Sequence, residues 1–569
     1  MKQGSSQHWL EEIAHNLLQK NLKQITLATG KTPSGHIHIG ILREIIICDS
    51  IRRILEKNDN NVRSNLFFDS LDAAKRFPGY IPENFRIEHK GKPFFLIPCP
   101  FEDCGCESYA NHFGNELTST FNDFGIKVNT IWSHELYKTK EMQDKIKIAL
   151  DHTDEIKKII KKYILPTLDD DKKKKFLEMQ KNWMPLMAIC EKCDKIQYVN
   201  KDGTIEPNRV KKYLKKEEII EYTCAACNHS GKLSLYSGRL KLNWRVDWPV
   251  KWALFKTNCE PAGKDHAVKG GAYDTGIEIC KRIFGYEGPM RIPYEWLRLG
   301  DKDMKTSKGI VFTPSKYLTL ADPEIFRMLI LRTNPIKHIS LRVEEMPQYY
   351  DFYEKMENKY YKIEAEDINE DKNALEYIYP LVKVDEIKTK KQKTIPFKVL
   401  SFLSQLQNIL SLDKLYTKFL SILDYGSKDD IPSIEKFEKL LIRTKSWIDE
   451  VKKIIENEKD AKIKKTIQQK ILIFEIKEKL DKKIVEHLNE KQIQGLKLLN
   501  EFFKENDKLD EDTIQNKIFT IAKNDLGIPP KHLFQAIYSI ILGKKKGPRL
   551  GSFLLLLDKA WLVERLSVE

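Results

Sequence analysis

An apolar run, Ile25-Thr26-Leu27-Ala28, passes within a few residues into Pro33-Ser34-Gly35-His36-Ile37-His38-Ile39-Gly40. Helical periodicity begins at about His38 and lasts to Lys57, and a second strand-like stretch covers Val62–Asp69. Strand, Pro/Gly turn, helix and strand in that order make a βαβ unit. With a further helix over His8–Asn21, residues 1–98 read as α/β, built on a parallel sheet of the Rossmann kind. The turn is the informative part. A helix N-terminus offers free N–H groups and a positive dipole end, which suit phosphate. Gly35 and Gly40 let a ligand approach the backbone closely. His38, and with it His36, could donate to oxygens whose charge grows in a transition state. Alone, the segment also reads as a plain βα turn with surface histidines.

A second phosphate-type loop lies far downstream, Met304-Lys305-Thr306-Ser307-Lys308-Gly309. A mobile lysine beside a pyrophosphate leaving group would neutralise the charge that builds during displacement at an α-phosphate. In isolation it is an exposed basic turn. Paired with the first motif it predicts a two-sided ATP site. Pro33, Ser34, Gly35, Ile39 and Gly40 form one side, and Met304, Lys305, Thr306, Ser307 and Lys308 the other. His36, His38 and Lys308 are the candidate catalytic residues. The pair points to adenylate-forming chemistry rather than simple ATP hydrolysis.

The rest of the chain divides by composition. Residues 99–240 read as an insertion that holds most of the ten cysteines. Cys190-x2-Cys193 and Cys224-x2-Cys227 have the spacing of two chelating turns, enough for a tetrahedral zinc. The gap between them, with its charged stretch Lys211–Glu218, is longer than in the usual ribbon. Cys99, Cys104, Cys106 and His112 form a less regular set that could hold a second ion. Neither set leaves an open position for water, so both read as structural. Cys48, Cys259 and Cys280 read as core residues. Residues 241–339 return to short strands and glycine loops. From 340 onward glycine is rare and helical stripes dominate, such as Phe402, Leu406, Ile409 and Leu410, so 340–569 is expected to be all-α. The net charge of +15 allows a nucleic-acid partner without requiring one. No apolar run reaches membrane-spanning length and no signal core opens the chain, so no membrane partner and a cytoplasmic location are expected.

The two motifs resemble the paired signatures of class I aminoacyl-tRNA synthetases. Four further segments narrow the resemblance to the class I lysyl-tRNA synthetase family. These are Trp244-Arg245-Val246-Asp247-Trp248-Pro249, Gly263-Lys264-Asp265-His266, Gly270-Gly271-Ala272-Tyr273-Asp274-Thr275-Gly276 and Tyr294-Glu295-Trp296. The likeness covers about residues 8–335, with Gly547-Pro548-Arg549-Leu550-Gly551 adding to it near the end. It implies ATP-dependent attachment of L-lysine to tRNA(Lys) through lysyl-adenylate. It also implies Mg2+ with the ATP, an insertion that grips the acceptor end of tRNA, and a helical domain that reads the anticodon. A monomer is expected. Carried over by position, Gly30, Thr32, Trp244, His266 and Tyr294 would line the lysine pocket. Asp274 and Glu295 are open candidates for the acid that pairs the substrate ammonium. Both signatures depart from the usual pattern: Ile41 stands where a second histidine is usual, Asp303 where the first lysine of the second loop would be, and Lys305-Thr306 where the family usually has serines. Two rivals remain, a glutamate-specific class I synthetase and a zinc-containing RNA-binding protein without catalysis.

Overall fold

The computed structural model describes residues 8–304, 311–363, 372–392, 395–422, 431–476, 480 and 482–568. Two compact units emerge. The first comprises 1–318, 322–342 and 355–389; the second comprises 319–321, 343–354 and 390–569.

In the first unit, α1 (Trp9–Leu18) precedes β1 (Ile25–Lys31), and α2 (Leu42–Lys57) and β2 (Val62–Phe68) follow. Then come α3 (Tyr109–Thr118), β3 (Asn129–Trp132), α4 (Trp244–Phe255), β4 (Thr257–Gly263), α5 (Ala272–Phe284) and β5 (Met290–Tyr294). The five strands form one sheet in the order β5-β4-β1-β2-β3, and every pairing in it is parallel. A parallel sheet is covered on both faces, so its strands are nearly continuous buried runs rather than alternating ones. The first five residues of β1 and the first six of β4 are buried accordingly. The chain order reverses between β1 and β4. That switch point opens a crevice at the carboxyl ends of both strands, where ligands bind in folds of this kind.

The predicted elements are recovered with shifted ends. The strand expected over Ile25–Ala28 continues to Lys31. The helix expected from His38 begins as a 3-10 turn, Ile39–Ile41, before α2 proper. One boundary differs in kind. β3 pairs with β2 along Asn65↔Asn129 to Phe68↔Trp132. The outer strand of the sheet therefore lies inside the span read as insertion. Its four residues are half-exposed edge sequence, with too little apolar patterning to mark a strand.

Beyond β3 the insertion forms its own antiparallel sheet. In spatial order its strands are Leu240–Leu242, Leu186–Ala188, Arg209–Leu214, Ile219–Thr223 and Ser230–Ser234. A short hairpin, Gln197–Val199 with Ile205–Pro207, stands beside it. α2 is buried along most of its length, charges included. Asp49 is held by Arg52 at 2.7 Å, Arg53 at 2.9 Å and the fully buried Arg327 at 2.9 Å. A carboxylate can be buried this deeply only with such partners.

The second unit is helical. Its longest helix, Ile434–Asn457, buries Phe437, Leu441, Trp447, Ile448 and Val451 along one face. The Trp447 indole donates to the Val343 carbonyl at 2.7 Å, satisfying its one polar atom. Of the stripe read from sequence, Leu406 and Leu410 are buried in this core and Phe402 and Ile409 pack against it. The helix carrying Phe402 ends at Leu403, however, and Leu406 sits on a 3-10 turn. No helix among the described residues is long and apolar enough to cross a membrane.

Candidate active site

The motif turn leaves β1 at the switch point and is braced from several sides. Thr32 Oγ1 donates to Asp72 at 2.7 Å, the Tyr109 hydroxyl donates to the Ser34 carbonyl at 3.1 Å, and the His36 N–H donates to the Tyr80 hydroxyl at 2.8 Å. Its two histidines differ. The His36 ring is held by Glu116 of α3 at 2.8 Å and meets the Phe113 ring edge-on, which makes it a strut between turn and helix. His38 Nδ1 is buried and has no hydrogen-bond partner among the described residues. Burial, helped by the charge on Lys31, depresses its pKa to about 4. Near neutral pH His38 is therefore a neutral imidazole, with a buried nitrogen that no described residue partners.

The second loop meets the turn through its flanks. Ile39 donates its N–H to the Phe312 carbonyl at 2.8 Å. The buried Met304 side chain lies 3.6 Å from where a Cβ on Gly40 would stand. Lys305, Thr306, Ser307 and Lys308 lie outside the described residues.

All five residues assigned to the lysine pocket by resemblance line one cavity of about 800 Å³: Gly30, Thr32, Trp244, His266 and Tyr294. Trp244 opens α4 behind Asn243, whose side chain caps the helix by accepting from the Arg245 N–H at 3.2 Å. It is 41% exposed, so its ring faces the opening rather than the core. His266 stands edge-on to it with centroids 5.7 Å apart.

The sequence named two acids for the ammonium, and the structure occupies both elsewhere. Asp274 accepts from the Gly270 N–H at 2.6 Å and pairs with Arg291 at 2.9 Å. Glu295 pairs with Lys264 at 2.9 Å. The cavity is lined instead by Glu44 of α2 and Glu260 of β4. The Tyr294 hydroxyl donates to Glu44. Glu260 accepts from the indoles of Trp248 at 2.9 Å and Trp252 at 2.5 Å. Burial raises the Glu44 carboxyl to about 8 and that of Glu260 to about 7. A cation arriving between such groups would favour their ionised forms. Arg43, next to Glu44, locks this part of α2 by donating to the carbonyls of Pro335 at 2.9 Å and Lys337 at 2.8 Å. Also in the cavity lining, Lys251 bridges Asp69 at 2.6 Å and Asp247 at 2.8 Å, and Lys241 pairs with Asp72 at 3.0 Å. Glu44, Asp247, Glu260, Lys241 and Lys251 are buried and Asp69 and Asp72 half-buried; they were missed because they make their contacts only in three dimensions. A charge amid Leu42-Arg43-Glu44-Ile45-Ile46-Ile47 was the available signal.

The four cysteines at 190, 193, 224 and 227 bring their sulfurs within 4.8 Å of one another. Cys190 and Cys227 are 3.7 Å apart, and Cys193 and Cys224 are 3.6 Å apart. A zinc tetrahedron with bonds of about 2.3 Å has edges of about 3.8 Å, so the donor set fits. Both loops are the same knuckle. The residue after each second cysteine, Asp194 or Asn228, is left-handed (φ 60° and 58°). Backbone N–H groups approach the first sulfur of each pair at 3.4 Å. In the other cluster Cys99, Cys104 and His112 converge. Cys106 contributes its backbone N–H to the Cys104 sulfur at 3.4 Å, and its thiol meets Cys104 without joining the mutually close group.

A parallel sheet with its crevice at this switch point, a histidine-bearing turn and a distant loop returning to it define a class I synthetase architecture. Comparison with known proteins agrees. The chain matches the family described as tRNA synthetases class I (K) over residues 7–385, and an anticodon binding domain over residues 434–568. It belongs to the class I (K) tRNA synthetase family. The lysine–tRNA ligase of Methanocaldococcus jannaschii is 34% identical over 576 residues, covering 99% of each chain. That of Methanococcus maripaludis is 31% identical over 580 residues, again covering 99% of each.

Proposed function

We propose that this chain is a lysine–tRNA ligase whose catalytic cavity is the one at the switch point. L-lysine is joined to tRNA(Lys) in two steps. A carboxylate oxygen of lysine bonds to the α-phosphorus of ATP. The bond to the β-phosphate breaks, and its electron pair leaves on pyrophosphate. A hydroxyl of the terminal tRNA ribose then attacks the acyl carbon of lysyl-adenylate and AMP departs. Both steps depend on positioning and on stabilising developing charge. Mg2+ accompanies the ATP phosphates and offsets part of their charge.

The carrying observation is the convergence of Trp244, His266, Tyr294 and Glu44 on one cavity beside the turn that holds His38. In this reading Glu44, oriented by Tyr294, accepts the substrate ammonium. The rings of Trp244 and Tyr294 flank the aliphatic stem. His38 and Lys308 act on the phosphate side, and Gly40 keeps the backbone clear for the nucleotide. The thiolates of Cys190, Cys193, Cys224 and Cys227 would hold one zinc. Cys99, Cys104 and His112 would offer three ligands to a second. Zinc with four protein ligands braces the insertion and takes no part in chemistry. The insertion grips the acceptor end and the helical unit reads the anticodon. The chain acts as a monomer.

The test is ATP–pyrophosphate exchange with each amino acid in turn, with and without tRNA(Lys). Lysine-dependent exchange is expected. Exchange with glutamate instead, or RNA binding with no exchange, would favour the rivals.

A further inference from the structure

We propose that Lys31 is a further catalytic residue, whose ammonium faces the charge shared by the lysine carboxylate and the α-phosphate as the adenylate forms. The inference rests on the reading of the cavity as the lysine and ATP site. β1 ends at Lys31, in register with Phe68, at the edge of the sheet beside the switch point. Its carbonyl accepts from the Asp69 N–H at 3.0 Å, so the backbone is fixed. The side chain is half-buried and lines the cavity together with Glu44 and Tyr294.

Its surroundings distinguish it from the other lysines there. Lys241 is committed to Asp72, and Lys251 to Asp69 and Asp247. Among the described residues the Lys31 ammonium has no hydrogen bond and no ion pair. Two groups sense it through space. Glu44 favours its charged form from the pocket side, and its own charge disfavours protonation of His38 on the turn side. The ammonium is thus within electrostatic reach of the acid read as the cation acceptor and of the histidine read as the phosphate contact, the two groups between which that reading joins the substrates. A cation partly removed from water without a partner is costly, and burial lowers the pKa of Lys31 for this reason. An anion delivered to it relieves that cost. The second loop adds a complementary observation: Asp303 stands where the signature has a lysine, and it is tied to Arg298 at 2.9 Å.

In the step itself the carboxylate oxygen bonds to phosphorus as pyrophosphate leaves with the bridging electron pair. Lys31 gives up no proton. It remains an ammonium throughout and acts by charge.

The test compares the full-length chain with Lys31→Met, Lys31→Gln and Lys31→Arg in ATP–pyrophosphate exchange with tRNA(Lys) present, over a range of pH. If the unmodified chain shows no lysine-dependent exchange, the reading of the site fails before this inference is reached. With an active parent, Lys31→Met should lower kcat by roughly 10²-fold, the lower end of the scale of one transition-state contact, and change the KM for lysine less than about threefold. Lys31→Arg should recover most of the loss. The parent should lose kcat at alkaline pH as the amine deprotonates, and Lys31→Met should lack that limb. Thermal unfolding identifies variants that fail to fold, in which case Lys31→Gln and Lys31→Arg carry the comparison. A neutral variant with parental kcat overturns the inference. So does one whose only change is in the KM for lysine, which would make Lys31 a partner of Glu44.

Discussion

Ile39 donates its backbone N–H to the carbonyl of Phe312 at 2.8 Å, across 273 positions of sequence. The bond ties the exit of the lysine loop to the first residue of the 3-10 turn that starts α2. Met304, at the entry of the same loop, packs beside Gly40. The two motifs are thus neighbours at their bases.

Gly40 tests that arrangement most directly. A Cβ at this position would stand 2.8 Å from His38 Nδ1 and 2.9 Å from Cε1 of the same ring, closer than such atoms approach. Gly40→Ala should therefore displace the histidine and leave the sheet alone. Adenylate formation should fall by roughly 10²-fold, the scale of losing one preorganised donor. Thermal unfolding should shift by only about a degree, roughly what 1 kcal/mol produces in a chain of several hundred residues. Full activity in this variant would show that the His38 ring has no bearing on the reaction.

Lys308→Ala should lower lysine-dependent exchange by roughly 10²–10³, the effect expected when one charge contact is lost from the transition state. The departure at Asp303 sharpens the expectation, because Arg298 already occupies that side chain. An unchanged exchange rate removes Lys308 from the mechanism.

The fold was legible where local chemistry marked it. Pro33 to Gly40 announced a βα turn, and paired Cys-x2-Cys announced a knuckle, because turn geometry and chelation are written in adjacent residues. β3 was not legible, since four half-exposed residues gain their identity only from pairing with β2. The acids of the cavity were not legible either. Glu44 lies one helical turn beyond Gly40 in an apolar helix, and only the approach of Tyr294 from β5 reveals what it faces. Asp274 and Glu295 looked available in sequence because Arg291 and Lys264 could not be seen beside them.

Glu44 makes lysine binding depend on pH. Its carboxyl is raised to about 8 by burial, so near neutrality the empty site is largely protonated. A lysine ammonium requires the carboxylate, and its binding must expel that proton. The sign follows: affinity rises with pH. The KM for lysine should fall roughly tenfold per unit between about pH 6 and 8 and level off above, while the KM for ATP stays flat. Glu44→Gln should abolish this dependence and raise the KM for lysine by roughly 10²-fold, the cost of removing one partner of a buried charge pair. A pH-independent KM in the parent would assign the ammonium to another group.

The zinc knuckles bear on the same cavity. Cys193 is followed almost at once by Ile196, whose N–H donates to the Gly91 carbonyl at 2.9 Å. Ile196 and Gln197 line the cavity together with Ile205 and Pro207 from the other arm of the hairpin. Cys224→Ser leaves three thiolates, a weaker set that no longer closes the tetrahedron. The variant should lose about one zinc per chain, because structural zinc sites use four protein ligands. Its hairpin should become protease-sensitive between Lys195 and Asn208, since metal-binding energy contributes directly to folding of such a module. The KM for lysine should rise more than the KM for ATP, because the hairpin lines the cavity that contains Glu44 and Trp244. Metal analysis and limited proteolysis of the full chain check this without an activity assay. A variant that keeps its full zinc content, or a parent that binds none, rejects the four-cysteine site.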